Sequence, residues 1–563
     1  MLRKVYHLRD LMNFAADSYG EQAAYLYKEK LGGPYLPISF NQFRQDVNSL
    51  GTALLDAGMK GQRIAVIGES RYEWIVTYFA VACGLGVIVP LDKELPVQEV
   101  SALINRAEIG AIVYSSKVGK KVVQALDGNT EIKMICMDLD EDEDGIISWL
   151  ALKERGLELR RGGVDTYAGM PINPEDFCTL IFTSGTTGLA KGVMLCHKNL
   201  CYNVSALYSY VNLSDPCGDS KICLSILPMH HTFEFTATVL GSMHQGGTVA
   251  FCEGLKYIVK NMAEAKVTYL IAVPLIFENM HSKIWRQAEK SGKAGKMRKA
   301  LKVVRALSHV DKKIMNKTAK LFKDVHAALG GHVKFFIVGG AAADPVVTND
   351  FIAMGIQMVQ GYGMTEYAPI ICLNPTYAPK AASVGLPLEG TEVYIDSPDS
   401  DGIGEIMCRG DSVMLGYYKD PEETAKVITP DGWLATGDYG YIDKEGYVYI
   451  TGRKKNVIVT KNGKNIFPEE VEYYLLKSKY IEEVVVRGVP DDDKEDLVVT
   501  AEIFPSKEAL EDIGSPEGEE LKALLKKEID AANEQMSIYK RVKRFTVRDT
   551  EFEKTTTKKI KRW

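Results

Sequence analysis

Short runs of β-branched and aromatic residues alternate along most of the chain with longer segments of helical pattern. The runs read RIAVIG, GVIVPL, GAIVYSS, TLIFTS, TVAFC, TYLIAV, KFFIVGG and IQMVQG. Strands that alternate with helices predict parallel βαβ sheets buried on both faces. Ligands of such folds bind beyond the carboxyl ends of the strands, where TLIFTSGTTG, KFFIVGGAA and IQMVQGYGMTE place glycine and hydroxyl residues. We therefore expect an α/β fold, with a large N-terminal domain of parallel βαβ sheets and a ligand site at these strand ends.

The length of the chain and a change of pattern predict two domains. With 563 residues, the chain exceeds what one hydrophobic core normally organises. After Arg453 the pattern changes to short strands and a charged helix, which is typical of a small α+β domain. We predict an N-terminal domain over residues 1–453 and a C-terminal domain over residues 454–563.

Charge and cysteine usage narrow the classes of function. The chain has 68 Lys and Arg residues against 74 Asp and Glu residues, a net charge of -6, so no global basic field favours nucleic acid as a partner. The ten cysteines form no C-x-x-C pair, which favours core thiols in a reducing compartment. The N-terminal residues carry charges and lack the apolar region of a signal peptide. We expect a cytoplasmic protein.

An uncharged stretch from Trp74 to Leu91 is almost long enough to span a membrane. Glycines and a proline interrupt it, and the better interpretation is a buried helix that begins after Ser70 as N-cap and ends at Gly84. A short buried strand, GVIVPL, then follows.

The loop TSGTTGLAKGV, from Thr183 to Val193, has the composition of a phosphate-binding loop. It departs from the Walker pattern, because Ala190 and Gly192 stand where that pattern needs glycine and a hydroxyl residue. Its hydroxyls, its glycines and Lys191 nevertheless suit a polyphosphate, since glycine allows close backbone approach and N–H donors meet anionic oxygens. A plain linker has a similar composition, so the loop alone leaves both readings open.

Further motifs accompany the loop in a fixed order. They are LPMHHTFEF from Leu227, GGAAAD from Gly339, QGYGMTE from Gln360, WLATGDYG from Trp433, ITGRKKNVIVTKNGKNIFPEEVE from Ile450 and EKTTTKKIKRW at the end. With the loop, this series resembles the adenylate-forming superfamily of acyl-CoA synthetases, adenylation domains and luciferases, and the resemblance covers nearly the whole chain. It implies a reaction in which a carboxylate attacks the α-phosphorus of ATP.

The resemblance implies a role for each matched residue in the first half of that reaction. Thr365 and Glu366 are expected at the α-phosphate and at Mg²⁺, and Lys559 as the catalytic lysine. His231 is expected either near the substrate carboxylate or as a gate of the acyl tunnel. Asp438 and Arg453 are expected to bind the ribose. The remaining nucleotide contacts are expected from the loop residues Thr183, Ser184, Gly185, Thr186, Thr187, Gly188 and Lys191, and around the adenine from Gly340, Ala341, Tyr362 and Gly363. His230 stands where the family usually has an aromatic residue, and Glu553 and Lys558 stand where it usually has proline and glycine.

The second half of the reaction needs a nucleophile that attacks the acyl-adenylate. In the family the small C-terminal domain rotates about a hinge, here Lys455, and admits the thiol of coenzyme A. Gly463 is expected beside the pantetheine arm, although a hairpin turn would also explain a glycine there.

The HHTFE pattern and the insertion from Lys283 to Lys323 most resemble long-chain fatty acyl-CoA synthetases. The implied substrates are a fatty acid, ATP and coenzyme A. The alternatives are a fatty acyl-AMP ligase that loads a carrier protein, a ligase for aryl or other carboxylates, and a non-enzymatic protein that binds ATP or acyl chains. The joint presence of Glu366, Asp438 and Lys559 speaks against the last. The insertion holds fourteen Lys or Arg residues against two acids and is interpreted either as a solvated helical face or as a peripheral membrane contact.

Overall fold

The computed structural model describes residues 3–183, 190–308, 319–460, 464–490, 497–554 and 560–562. The chain divides into two compact units. The first comprises Met1–Glu392 and Cys408–Leu434, and the second comprises Val393–Met407 and Ala435–Trp563. The second unit thus includes strands that precede Arg453, and the domain boundary predicted after Arg453 stays a prediction.

Two large sheets organise the first unit. Within the described residues, one sheet has nine strands, in the spatial order Leu386–Pro387, Ile370–Leu373, Gln357–Gly363, Phe335–Val338, Tyr269–Ala272, Ile222–Ser225, Thr248–Phe251, Ala23–Tyr27 and Leu36–Ser39. Its central strands are parallel; for example, Tyr269 lies opposite Phe335, and Phe335 lies opposite Gln357. The residues of these strands are buried because helices cover both faces of a parallel sheet.

The second large sheet has eight strands among the described residues. Their spatial order is Gly416–Tyr417, Lys191–Cys196, Phe177–Thr183, Val87–Leu91, Arg63–Ile67, Ile109–Tyr114, Lys133–Cys136 and Ile147–Ser148. The strands from Val87–Leu91 to Ile147–Ser148 pair in parallel, whereas Phe177–Thr183 and Lys191–Cys196 form an antiparallel hairpin. Each β-branched run of the sequence falls on a strand, and the predicted α/β class with parallel sheets is confirmed.

Helices connect these strands. The α-helices described in the first unit are Leu8–Tyr19, Phe40–Asp56, Tyr72–Ala82, Val97–Ala107, Gly119–Leu126, Trp149–Arg161, His197–Leu207, Ser214–Cys217, Gly241–His244, Ile258–Glu264, Pro274–Lys290, Ala294–Ser308, Lys323–Ala328, Pro345–Ala353 and Pro421–Val427. One π-helix, Glu234–Leu240, continues into Gly241–His244. Short 3₁₀ turns lie at Ser116–Val118, Leu255–Tyr257, Ala319–Phe322 and Thr365–Tyr367.

The second unit is a smaller α+β structure. The described strands that lie wholly or mostly in it are Glu392–Asp396, Gly404–Arg409, Leu434–Ile442 and Val448–Arg453 in one sheet, Ile458–Val459 and Asn465–Ile466 in a second, and Ile481–Pro490, Leu497–Pro505 and Arg544–Val547 in a third. Its helices are Pro468–Leu475, Lys507–Glu511 and Gly518–Glu534, with 3₁₀ turns at Lys454–Asn456 and Ile538–Lys540. Val471, Leu475, Leu525 and Ile529 pack against the third sheet and form a separate core.

The uncharged stretch from Trp74 to Leu91 is a buried helix followed by a buried strand, as predicted. The helix is Tyr72–Ala82, and its N-cap is Arg71 rather than Ser70. The Ser70 hydroxyl instead donates to the carbonyl oxygen of Leu227 at 3.3 Å, a contact between distant segments that local sequence does not reveal. In the described part of the chain, none of the helices combines the length and apolarity that crossing a membrane requires. The cysteines are free, and all except the half-buried Cys252 are buried.

Candidate active site

The glycine- and hydroxyl-rich loop joins the two strands of the antiparallel hairpin. Thr183 ends one strand, Lys191 begins the next, and the two residues pair. The Thr183 hydroxyl donates to the carbonyl oxygen of Lys191 at 3.4 Å. Ser184, Gly185, Thr186, Thr187 and Gly188 lie outside the described residues. The structure therefore places the two ends of the predicted phosphate loop, and the roles of the residues between them stay predictions.

Lys191 makes contacts that the sequence motif does not predict. Its Nζ lies 2.5 Å from Oε2 of Glu423 and 4.9 Å from the centroid of the Tyr417 ring. The ammonium group of Lys191, with a further contribution from Lys426, lowers the pKa of Glu423 to about 2. Glu423 is thus an anion throughout the neutral range, and a phosphate that binds Lys191 competes with this carboxylate.

Glu366 lies in a short turn that directly follows a strand of the nine-stranded sheet. The strand is Gln357–Gly363 and the turn is Thr365–Tyr367. Oε1 of Glu366 accepts a hydrogen bond from the Tyr417 hydroxyl at 2.8 Å, and the Glu366 carbonyl oxygen accepts from the Met414 amide at 2.9 Å. Burial, together with the Glu366 carboxylate, raises the pKa of Tyr417. The hydroxyl therefore remains a donor at neutral pH and orients the carboxylate.

Tyr417 is a functional candidate that the motifs missed. It lies 51 residues from Glu366 in the sequence, on a two-residue strand that pairs with Val193 and Met194. Its ring faces Lys191 and its hydroxyl faces Glu366, so one side chain connects the phosphate-loop hairpin to the Thr365–Glu366 turn. The sequence signal was weak, because a tyrosine between Gly416 and Tyr418 reads as an ordinary strand residue.

An apolar cavity of about 80 Å³ lies beside the turn Thr365–Tyr367, since Gly363 and Pro369 on either side of the turn both line it. Its walls include Gly339 and Gly340, Tyr362 and Gly363, Phe233, which precedes the π-helix, and Ala237 within that helix. Gly340 has a φ of +81°, in the left-handed region that favours glycine. A Cβ atom on Gly363 would lie 1.8 Å from the carbonyl oxygen of Pro369, so only glycine fits there. Ala341 is exposed in the turn after Gly340.

The structure thus brings together several of the predicted nucleotide contacts. Gly340, Tyr362 and Gly363 line one cavity. Thr365 and Glu366 follow directly after the strand that ends at Gly363. The predicted stacking of adenine on Tyr362 stays a prediction.

The two histidines of the HHTFE motif have different surroundings. His230 is mostly buried, its Nε2 lies 3.5 Å from Oδ2 of Asp92, and burial lowers its pKa to about 4. Its ring centroid lies 4.1 Å from that of His231. His231 is half-buried and precedes by two residues the cavity-lining Phe233. His231 is therefore close in sequence to the cavity wall, and His230 is a neutral buried neighbour.

In the second unit, Asp438 and Arg453 lie opposite each other on paired strands. Nε of Arg453 lies 2.9 Å from Oδ1 of Asp438, whose side chain is only 7% exposed. A buried carboxylate on a paired arginine is held in one orientation, which suits the recognition of vicinal hydroxyls. The structure therefore pairs the two predicted ribose-binding residues, and their ribose-binding role stays a prediction.

Lys455 follows this pair in the 3₁₀ turn Lys454–Asn456. Burial lowers the pKa of Lys455, and the charges of Arg453 and Arg562 lower it further. The hinge role of Lys455 stays a prediction. Gly463 and Lys559 lie outside the described residues, so their expected roles at the pantetheine arm and the adenylate stay predictions too.

Comparison with known proteins identifies the family. A family model described as AMP-binding enzyme matches residues 13–418. The chain belongs to the AMP-binding enzyme family. This confirms the resemblance to adenylate-forming enzymes that the ordered motifs carry.

Curated relatives match at modest identity over most of the chain. A chloroplastic long-chain-fatty-acid–[acyl-carrier-protein] ligase of Arabidopsis thaliana is 25% identical over 92% of this chain and 79% of its own length. Long-chain-fatty-acid–CoA ligase 5 of Rattus norvegicus is 29% identical over 81% of this chain and 69% of its own length. Fatty acyl-CoA synthetase A of Dictyostelium discoideum is 30% identical over 81% of this chain and 70% of its own length.

Solved structures share the fold. The anthranilate CoA ligase AuaEII, in complex with anthranoyl-AMP, is 19% identical and superposes with a TM-score of 0.76 over 99% of this chain and 96% of its own. ATP-bound MatB from Rhodopseudomonas palustris is 24% identical, with a TM-score of 0.73 over 98% and 97% of the two chains. At these identities the likeness shows the fold alone.

Proposed function

We propose that this protein is an ATP-dependent ligase that converts a fatty acid into an acyl-adenylate and then transfers the acyl group to coenzyme A. One observation carries the proposal: the strand Gln357–Gly363 lines an apolar cavity and leads directly into the turn that holds Glu366. An apolar cavity beside a turn that presents an oriented carboxylate suits an apolar acyl chain whose reacting end meets a metal-bound nucleotide.

The proposed chemistry has two steps. In the first, a carboxylate oxygen of the fatty acid bonds to the α-phosphorus of ATP, and the bond from that phosphorus to pyrophosphate breaks. In the second, the thiol sulfur of coenzyme A bonds to the acyl carbon, the carbon–oxygen bond to AMP breaks, and the thiol proton passes to solvent. An anion approaches a polyanion in the first step, so cationic groups and donors must offset the repulsion.

The residues of the chain divide this task. The loop from Thr183 to Gly188, with Lys191, would hold the β- and γ-phosphates, and Thr365 would donate to the α-phosphate. His231 would face the substrate carboxylate. Lys559 would place a positive charge beside the attacking carboxylate oxygen and the bridging oxygen of the leaving pyrophosphate. Gly340, Tyr362 and Gly363 would separate the adenine on one side from the acyl chain in the cavity on the other, with Ala341 beside the adenine, while Asp438 and Arg453 would bind the ribose. Lys455 would act as the hinge, and Gly463 would leave room for the pantetheine arm.

Glu366 fits a magnesium ion that binds together with the nucleotide. It presents a half-buried carboxylate with one oxygen fixed by Tyr417. Magnesium is usually bound through one or two carboxylates plus substrate phosphates and water. Among the residues that the structure describes, no cluster of three or more histidine, cysteine or acidic side chains is placed to hold an ion. A single carboxylate that shares its ion with ATP agrees with that arrangement. Bound there, Mg²⁺ would offset the phosphate charge.

The identity of the acyl acceptor has a specific alternative. The Arabidopsis relative is named for loading an acyl carrier protein, so a carrier-bound pantetheine could replace coenzyme A as the thiol. The first step is the same for either acceptor. An aryl substrate, as in the anthranilate ligase structure, would use less of the apolar cavity.

The insertion from Lys283 to Lys323 supports a second proposal, a contact between the protein surface and a membrane. Its exposed cations include Lys283, Arg286, Lys290, Lys296, Lys299 and Lys302. The apolar residues between them, Ile284, Leu301 and Val304, are buried in the core, so these side chains are unavailable for insertion into lipid. We propose an electrostatic contact with anionic lipid, to which each cation contributes about 1 kcal/mol. Sedimentation with anionic but not neutral vesicles is expected, and equal sedimentation with both would contradict the contact.

The first half-reaction provides the direct test of the proposed function. Incorporation of labelled pyrophosphate into ATP should depend on both a fatty acid and Mg²⁺, without any need for coenzyme A. A series of fatty acids and aryl acids then ranks the substrates. Exchange that no carboxylic acid stimulates would contradict the proposal.

A further inference from the structure

Glu234 is a fully buried acid that none of the proposed roles uses. It begins the π-helix Glu234–Leu240, and its exposed fraction is 0%. The helix supplies Ala237 to the cavity wall, between Phe233 before it and Gly241 after it. π-Helical turns are rare and occur frequently at functional sites.

The Glu234 carboxyl group joins three parts of the backbone. Oε1 accepts from the Ser225 hydroxyl at 2.6 Å, and Oε2 accepts from the Thr238 hydroxyl at 3.0 Å. The Leu227 amide also donates to it. Ser225 ends a strand of the nine-stranded sheet, Leu227 begins the segment that carries His231, and Thr238 lies one turn further along the π-helix.

These bonds fix the His231 segment at both ends. The segment turns sharply, since the His231 amide donates to the Pro228 carbonyl oxygen at 3.1 Å and the Phe235 amide donates to the His231 carbonyl oxygen at 3.1 Å. Without Glu234, the side-chain link between the strand end and the π-helix would be lost. Both His231 and the cavity-lining Phe233 lie within the segment that this link closes.

The surroundings of Glu234 keep its carboxyl group neutral. The described titratable groups that interact electrostatically with it include the thiols of Cys223 and Cys252, and neither supplies positive charge. Burial raises the pKa of Glu234 to about 8, despite the three hydrogen bonds that favour the charged form. At neutral pH the group is mostly a carboxylic acid. Its carbonyl oxygen still accepts a hydrogen bond, and its O–H can donate to the Ser225 or the Thr238 hydroxyl, because a hydroxyl both donates and accepts. The link therefore needs no buried charge.

We propose that Glu234 is a positioning residue that fixes the His231 segment and the cavity wall in the geometry that binds the fatty acid. This inference rests on the proposed function. Glu234 acts through its neighbours and does not react itself. Loss of the link should therefore weaken the use of fatty acid and leave the nucleotide contacts, which other segments provide, unchanged.

Two variants test the proposal in the pyrophosphate-exchange reaction. Glu234→Ala removes the link and is expected to raise the KM for fatty acid at least about tenfold with little change in the KM for ATP, because unsatisfied buried groups are costly. Glu234→Gln keeps the shape and a neutral group. It should restore the KM for fatty acid at pH 7 to within about threefold of the wild-type value, an estimate based on the small cost of an isosteric neutral replacement.

The pH profile distinguishes positioning from a merely structural role. Above about pH 8 the wild-type carboxyl group ionises. The carboxylate can still accept its hydrogen bonds, but a buried charge destabilises the segment that holds it, so the KM for fatty acid should rise. Glu234→Gln cannot ionise and should lack this rise, while every other titrating group is shared by the two proteins. The comparison also holds if Glu234→Ala fails to fold.

The outcomes separate this inference from the proposed function. If no fatty acid stimulates pyrophosphate exchange by the wild-type protein, the proposed function is contradicted. An active wild type whose alkaline profile coincides with that of Glu234→Gln, or a folded Glu234→Ala with an unchanged KM for fatty acid, overturns the positioning role of Glu234.

Discussion

Tyr417→Phe removes one hydroxyl group and tests whether Glu366 must be oriented for activity. In the structure the Tyr417 hydroxyl donates to Oε1 of Glu366 at 2.8 Å, while the Tyr417 ring packs beside Nζ of Lys191. Phenylalanine keeps the ring and its packing. The variant therefore isolates the hydrogen bond between the hydroxyl and the carboxylate.

The size of the effect follows from the charge and exposure of the acceptor. A hydrogen bond to a charged group contributes about 1.5 to 3 kcal/mol. Glu366 is half-buried, so water can replace part of the lost bond, and the lower end of that range applies. A loss of about 1.5 kcal/mol corresponds to a decrease of roughly tenfold in kcat/KM for ATP.

The assay is pyrophosphate exchange at several magnesium concentrations. Because Glu366 is proposed to hold Mg²⁺, the variant should need more magnesium for half-maximal activity. Tyr418→Phe is a matched control, since the Tyr418 hydroxyl donates to Glu108 at 3.2 Å and not to Glu366. A Tyr417→Phe protein with wild-type activity and magnesium dependence would refute the reasoning, as would an equal loss in Tyr418→Phe.

Three further substitutions have distinct expected outcomes. Lys559→Ala should abolish adenylate formation, with a loss of at least about a hundredfold, yet bind ATP in calorimetry nearly as the wild type does; an unaltered adenylation rate would remove Lys559 from the mechanism. Gly339→Val should shorten the preferred acyl chain, because a Cβ atom there would lie 2.8 Å from Cζ of Phe233 and push the ring into the cavity; an unchanged chain-length profile would argue against an acyl site there. Glu234→Gln should become more stable than the wild type as pH rises. The pKa of Glu234 is raised from 4.5 in the unfolded chain to about 8 in the folded protein. Between pH 4.5 and pH 8 the folded wild-type protein therefore holds a proton that the unfolded chain has released. The free energy of unfolding of the wild type falls over this range, by up to about 5 kcal/mol. Urea midpoints at pH 5 and pH 8 measure the difference, and parallel shifts of the two proteins would contradict it.

The sheet strands were predictable because their burial leaves a local signal. Runs such as RIAVIG and TYLIAV contain almost only residues that suit a strand buried on both faces. They fall on Arg63–Ile67 and Tyr269–Ala272. The ends of these strands then indicate where polar loops gather, so Glu366 and Tyr362 were placed in one region from the sequence alone.

The contacts that orient the site were not predictable in the same way. Tyr417 reaches Glu366, and Glu423 reaches Lys191 across an even longer separation in sequence. No periodicity or motif links such residues, because the contact exists only after the sheet has formed. Arg71, which replaces Ser70 as the N-cap, shows the same limit, since Ser70 is drawn into a contact with the distant Leu227.

Glu234 shows how an apolar context can hide a polar role. In LPMHHTFEF it is the one acidic residue, and the motif does not indicate its partners. Ser225 becomes its partner because the end of a strand lies against the start of the π-helix, and Thr238 because it lies four residues further along that helix. The sequence contains the anomaly, and the fold supplies its explanation.

The most direct test of the central claim is product identification by mass spectrometry. The protein is incubated with ATP, Mg²⁺ and fatty acids of varied chain length, with and without coenzyme A. We predict acyl-CoA, AMP and pyrophosphate when coenzyme A is present, and acyl-adenylate when it is absent. Acyl-adenylate that accumulates even with coenzyme A would point to a carrier protein as the acceptor, and the absence of adenylate with every fatty acid would contradict the account.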